Sequence, residues 1–185
     1  MLEKELAFHC SPAFAGIKPS NLFSYRTDDI VSEKRTIKKL NSQLNGSGIF
    51  IKILCEYENR ILIMVYRPNR LSAYLARPEI SAFLKNCGYG RAAGVDDCIA
   101  LLSQRIRHNR EFPHEIGAFL GYPIEDIYGF INHKNSGCKY TGYWKVYSNV
   151  EAAKELFRKY DSCRNAVVRR LNTGRTLGDM FALAH

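Results

Sequence analysis

Two hydrophobic periods alternate along this chain. Within residues 29–45, Ile30, Ile37, Leu40 and Leu44 recur at helical spacing, with acids ahead and Gly46-Ser47-Gly48 behind, so an amphipathic helix is predicted there. Residues 49–57 and 60–67 then turn dense in Ile, Val and Leu around Glu58-Asn59, which predicts a β-hairpin closed by a tight turn. Upstream, residues 1–8 read as a short helix stopped by Ser11-Pro12, because proline disfavours helical backbone in the residue before it. Residues 12–20 hold two prolines and Gly16 and read as an ordered loop, followed by a short strand over 21–25.

The second half is mostly helical. Arg77-Pro78-Glu79 places proline and an acid in a first turn, and Cys87-Gly88 ends that helix. Residues 94–108 form another helix, two short ones follow near 113–121 and 123–133, and 143–147 reads as a strand. The last long helix starts after Ser148-Asn149, with the apolar stripe Leu156, Tyr160, Cys163, Val167 and Leu171. The fold class that follows is α+β. It comprises a small, mainly antiparallel sheet, made of the hairpin at about 49–67 with short strands near 21–25 and 143–147, covered by several helices. No repeat or linker divides residues 1–185, so a single domain is expected, with 173–185 as a flexible tail.

Composition agrees with a folded domain: 185 residues, 46% hydrophobic and 24% charged. The apolar runs at 48–55 and 60–66 are too short to span a bilayer. Glu3 and Glu5 stand where a signal peptide carries basic residues, so a cytoplasmic location without a membrane partner is expected. Six cysteines, at positions 10, 55, 87, 98, 138 and 163, include no CxxC pair, which argues against a structural zinc site.

Charge invites a nucleic-acid reading and then weakens it. The 27 Lys+Arg against 18 Asp+Glu give +9, but the excess is spread over residues 1–110 and 151–185 while residues 111–150 are near neutral. The densest clusters are Lys34, Arg35, Lys38 and Lys39, then Arg164, Arg169, Arg170 and Arg175, on helices whose other faces are apolar. They read first as solvated faces. A nucleic-acid or acidic partner is the alternative and is not favoured, because phosphate recognition needs positive charge gathered on one surface.

Candidate chemistry lies elsewhere. Gly88-Tyr89-Gly90-Arg91-Ala92-Ala93 matches a dinucleotide fingerprint, but a helix and not a strand precedes it, so the match is discounted. What remains is Arg91 near a helix N-terminus as an anion ligand. In Phe112-Pro113-His114-Glu115-Ile116-Gly117, His114 is a candidate acid/base and Glu115 a second catalytic candidate, though neighbours on a helix point about 100° apart. Lys18 is a candidate for an anionic ligand. In Tyr143-Trp144-Lys145-Val146-Tyr147, strand alternation sends Trp144 and Val146 to the core and leaves Tyr143 and Lys145 to stack or pair with a planar ligand. A further alternative is a metal or haem-type site drawn from His9, Cys10, His114 and Cys138.

Three separated stretches carry a resemblance. They are His9-Cys10-Ser11-Pro12 through Ala15-Gly16-Ile17-Lys18-Pro19 with Asn21-Leu22-Phe23, then Phe112 to Pro123 with Gly129-Phe130, and Gly142-Tyr143-Trp144-Lys145-Val146-Tyr147. Together they resemble a family from anaerobic Firmicutes known as a domain of unknown function. The resemblance runs over residues 5–165 and implies no activity or catalytic residue. Its members' association with iron-uptake and flavodoxin-type genes points toward redox or metal physiology. The expectation that results is a small anionic or planar ligand in one cavity formed by residues 12–19, the His114 region and the Tyr143 strand. The residues specify no reaction, cofactor or oligomeric state.

Overall fold

The computed structural model describes residues 1–108, 112–134 and 136–183. A three-stranded antiparallel sheet runs in the order β1-β3-β2, with β1 at Ser20–Arg26, β2 at Phe50–Tyr57 and β3 at Arg60–Tyr66. β3 is central and apolar on both faces, so the sheet has to be covered twice. Ile61, Ile63 and Val65 face one helical layer: α1 (Leu2–Phe14), α2 (Ile30–Leu44), the second half of α8 (Val150–Asn172) and α9 (Leu177–Phe181). Leu62, Met64 and Tyr66 face the other: α3 (Pro68–Leu75), α4 (Pro78–Leu84), α5 (Val95–His108), α6 (Ile116–Phe119) and α7 (Ile124–His133). The small antiparallel sheet with its many helices is the α+β class expected.

A bulge at Leu54 shifts the β2–β3 register between Ile53 and Cys55, which puts Leu54 and Cys55 on the same face. The freed Leu54 carbonyl accepts from the Ser103 hydroxyl and from Arg107 Nε at 3.2 Å.

A third, smaller core lies beside these layers. The two-residue strands β4 (Tyr140–Thr141) and β5 (Lys145–Val146) pair across a bend and press Trp144 and Val146 on Ala153, Phe157 and Tyr160 of α8. Tyr122 packs against both this cluster and the second layer, stacking on Trp144 at 4.7 Å.

Several boundaries differ from expectation. α1 does not stop at Ser11-Pro12 but runs to Phe14 with Pro12 inside. Burial of Ala13 and Phe14 in the core outweighs the local proline penalty, and Arg67 caps the end of the helix by donating to the carbonyls of Ala13 (Nε, 3.1 Å) and Phe14. α3 was not foreseen, although Pro68 at its first position is a start signal. The strand expected over 143–147 is confined to Lys145–Val146. The stretch 173–185, expected as a flexible tail, contains α9, whose Leu177 is fully buried and whose Thr176 and Asp179 form a capping box. Residues 184 and 185 of that expectation lie outside the described residues. Among the described residues no helix is long and apolar enough to cross a membrane.

Candidate functional site

The turn between α1 and β1 is fixed at every step. The Pro12 carbonyl accepts from the amides of Ile17 (2.8 Å) and Lys18 (3.1 Å), and Arg67 N donates to the Pro19 carbonyl at 3.1 Å. The buried Ser20 hydroxyl donates to the Phe119 carbonyl at 2.7 Å, and Ala13 N donates to Asn21 Oδ1 at 3.1 Å. Gly121, at φ +72, brings its backbone so close to Pro19 that a Cβ there would stand 2.7 Å from the ring. Lys18 is therefore held on a rigid frame.

Its side chain is aimed inward and is only 3% exposed. Nζ lies 5.2 Å from the Tyr122 ring centroid and 5.8 Å from that of Tyr160, and it makes no hydrogen bond or ion pair with any described residue. Burial lowers its pKa to about 8, a shift that the neighbouring Cys10 partly offsets. Cys10 is fully buried, and burial pushes its thiol well above the usual range, so it stays protonated and is no nucleophile. Burial likewise raises Tyr122 to about 12 and lifts Tyr160 further, keeping both as phenols.

Lys18 lines two hollows. One is a groove of about 650 Å³ whose walls include Arg70, Tyr74, Arg77, Glu79, Glu125 and Tyr160. The other is a pocket of about 150 Å³ with His9, Asn21, Tyr143 and Arg164. Arg77 lies over the Tyr74 ring at 4.6 Å, and the Tyr74 hydroxyl donates to the Tyr122 carbonyl at 2.5 Å. Tyr143 donates to Asp161 at 2.8 Å and packs edge-on to Tyr160 at 5.1 Å.

Of the residues singled out from sequence, Lys18 and Tyr143 thus share a pocket. His114 and Lys145 share a different one, of about 410 Å³, with Tyr122, Phe130 and Trp144. Tyr122 is a wall of both pockets, so the expected single cavity is two. The bend at 142–144 is the reason: it breaks strand alternation, sending Tyr143 to α8 and Lys145 toward Phe130. Glu115 points away from His114. It is 6% exposed, pairs with Arg105 at 2.9 Å and accepts from the Tyr89 hydroxyl at 3.3 Å. Arg91 is exposed and lines none of these pockets, and the N-terminus of α5 already carries Asp96 and Asp97, the latter accepting from Ala93 N at 2.9 Å.

The four residues weighed as metal ligands do not gather. His9 stacks on Phe23 and faces Glu5, Cys10 is sealed in the core, His114 meets the Phe130 edge, and Cys138 Sγ donates to the Tyr140 carbonyl at 3.1 Å. No group of three or more His, Cys, Asp or Glu able to hold a metal occurs among the described residues. In the basic clusters, Lys34 pairs with Glu56 at 2.8 Å and Arg164 with Asp161 at 2.6 Å.

Asp126, an acid in the first turn of α7, is a buried hub. Its carboxylate accepts from Trp144 Nε1 (2.7 Å), Tyr147 N, Ser148 N and the Ser148 hydroxyl (2.8 Å each). A further hollow of about 790 Å³ beside the start of α8 is lined by Asp126, Ser148 and Asn149, whose polar atoms are engaged in such internal bonds, Asn149 by capping Ala152 N at 3.0 Å.

Sequence reasoning missed Arg70, Tyr74, Arg77, Tyr122 and Tyr160. Tyr160 was visible only as a member of an apolar stripe, and nothing local marks its hydroxyl as unpartnered. The recurrent glycines do carry a signal, because each marks a close approach: Gly121 to Pro19, Gly129 to Tyr147 and Gly142 to Phe157. The stretches that carry the family resemblance are packed on one another around Lys18 and Trp144.

The chain belongs to the family described as protein of unknown function (DUF3793), whose model matches residues 6–181. No curated protein and no solved structure matches it.

Proposed function

We propose that this member of a family without an assigned activity binds a small anionic ligand, with a planar part, in the groove above Lys18. The observation that carries the reading is the Lys18 amine. It is buried beneath aromatic rings with no protein acceptor, so a ligand oxygen is the partner its geometry lacks. Arg70 and Arg77 bring two more cations to the groove against Glu79 and Glu125, and the faces of Tyr74 and Tyr160 offer a planar group a surface. Six free cysteines accord with action in the reducing cytoplasm.

The reading is tested by thermal denaturation at low ionic strength with inorganic phosphate. The wild-type midpoint should rise with phosphate concentration, and that of Lys18→Met should not. Equal responses from the two proteins would remove Lys18 from any anion site.

A further inference from the structure

Two polar groups of buried residues that line the groove lack hydrogen-bond partners among the described residues: Lys18 Nζ, 5.8 Å from the Tyr160 ring centroid, and the Tyr160 hydroxyl. The residues are 3% and 2% exposed. Neither atom is sealed in, since Ser47 Oγ alone among the described residues is both fully enclosed and unpartnered. Each atom therefore keeps some accessible surface, and both residues line the groove. An ordinary lysine is kept protonated, and so unreactive, by water or a carboxylate. Lys18 has little of the first and no ion pair with the second, so near pH 7 about a tenth of it is neutral amine.

We infer that Lys18 is a carbonyl-binding amine, which condenses with an aldehyde or ketone whose anionic end is received by Arg70 and Arg77. This rests on the anion-binding reading of the groove. The neutral amine adds to the carbonyl carbon: the N–C bond forms, the C=O π pair moves to oxygen, and a proton passes from nitrogen to that oxygen. The C–O bond of the resulting carbinolamine then breaks. Its oxygen takes a proton from solvent in the groove and departs as water, while the nitrogen lone pair closes the C=N bond. Amine, carbonyl and one proton become iminium and water, and nothing is oxidised or reduced. Tyr160, kept as a phenol by burial, is the donor placed to hydrogen-bond the departing oxygen. Cys10 beneath Lys18 remains a thiol and does not compete for the carbonyl.

The test is reductive trapping on the full chain at pH 7 with sodium cyanoborohydride. The probes are pyruvate, glyceraldehyde 3-phosphate and, as the uncharged control, acetaldehyde. A single adduct is expected, mapped by peptide mass to Lys18 and formed at least ~tenfold faster than at any surface lysine. It should form faster with the anionic probes than with acetaldehyde, and which of the two reacts better separates a carboxylate-bearing from a phosphate-bearing ligand. Lys18→Met, checked for a wild-type circular dichroism spectrum, should lose the adduct. Tyr160→Phe should slow trapping while leaving the thermal response to phosphate intact, which a merely structural role for Tyr160 would not produce. Adducts spread evenly over surface lysines, or retained in Lys18→Met, overturn the inference. If phosphate stabilises the wild type through Lys18 and no adduct forms, the imine falls and the anion site stands. If neither occurs, both fall.

Discussion

Asp126 and Lys18 are both 3% exposed, yet the protein treats their two regions in opposite ways. At the junction of α7, β5 and α8, the Asp126 carboxylate meets four donors, so its charge is fully used inside the fold. At the turn between α1 and β1, the main chain is anchored on every side while the Lys18 amine meets only ring faces. A buried ion with all its hydrogen bonds made is architecture. One left without them, on a rigid frame beside a groove, is the feature on which the proposed anion site rests.

The sharpest way to break the contrast is to strip the satisfied ion. Asp126→Ala leaves the Trp144 indole N–H, two amides and a hydroxyl without an acceptor, and a loss of about 3–5 kcal/mol is expected. Urea denaturation followed by Trp144 fluorescence reads it directly. A loss below about 1 kcal/mol would show that the hub is not what holds the β4–β5 hairpin to α7.

Next in size is Gly142→Ala, which tests the same junction from the other side. The new Cβ would lie 2.2 Å from the Phe157 ring, which is itself wedged against Trp144 at 4.5 Å. The ring cannot retreat without disturbing the small core, so a cost of about 2–3 kcal/mol is expected in the same urea assay. Phe157→Leu, which frees space at that contact, should recover part of the loss in the double variant.

These two regions also explain what could be read from sequence. The hairpin, α2, α5 and α8 announce themselves because each repeats one period for long enough to decide its own structure. α1 misleads because Pro12 is a local signal overruled by tertiary contact: Ala13 and Phe14 are buried in the core, and the helix end is capped by Arg67, more than fifty positions away. The same applies to function. Lys18, Tyr143, His114 and Lys145 were identifiable as residue types, but their division between two pockets depends on a three-residue bend and on the Tyr122 ring. Asp126 looked like any acid in a first helical turn, because its donors come from residues 144–148. Tertiary contact decides which charges are satisfied, and that is the property separating Asp126 from Lys18.

Lys18→Met probes the unsatisfied ion, and its sign should be reversed. Replacing a buried, unpaired ammonium by an apolar chain of similar length should stabilise the protein by about 1–3 kcal/mol at pH 7. The pH profile supplies a second signature. Below about pH 8 Lys18 is protonated in both states. Above it the folded protein releases the proton, while the unfolded chain holds it to about 10.5, so the unfolded state binds more protons and wild-type stability rises with pH. Cys10 acts the other way above about pH 9, where the unfolded thiol ionises and the buried one does not. The rise is therefore clearest between pH 8 and 9, and it should vanish in Lys18→Met. A variant less stable than wild type at pH 7 would mean that the two rings satisfy the ammonium after all.

The smallest expected effect falls on the second pocket, and its smallness is the point. His114 is exposed and touches the Phe130 edge at 5.5 Å, while Glu115 beside it is tied to Arg105 on the far side of the same turn. His114→Ala should change stability by less than about 0.5 kcal/mol. Because Tyr122 separates its pocket from that of Lys18, the substitution should also leave both the phosphate-induced rise in melting temperature and the reductive labelling of Lys18 at wild-type levels. Tyr122→Leu should alter both, since it removes the ring that faces Lys18 and the wall that divides the two pockets. If His114→Ala instead suppressed labelling of Lys18, the two pockets would be acting as one site across the Tyr122 ring.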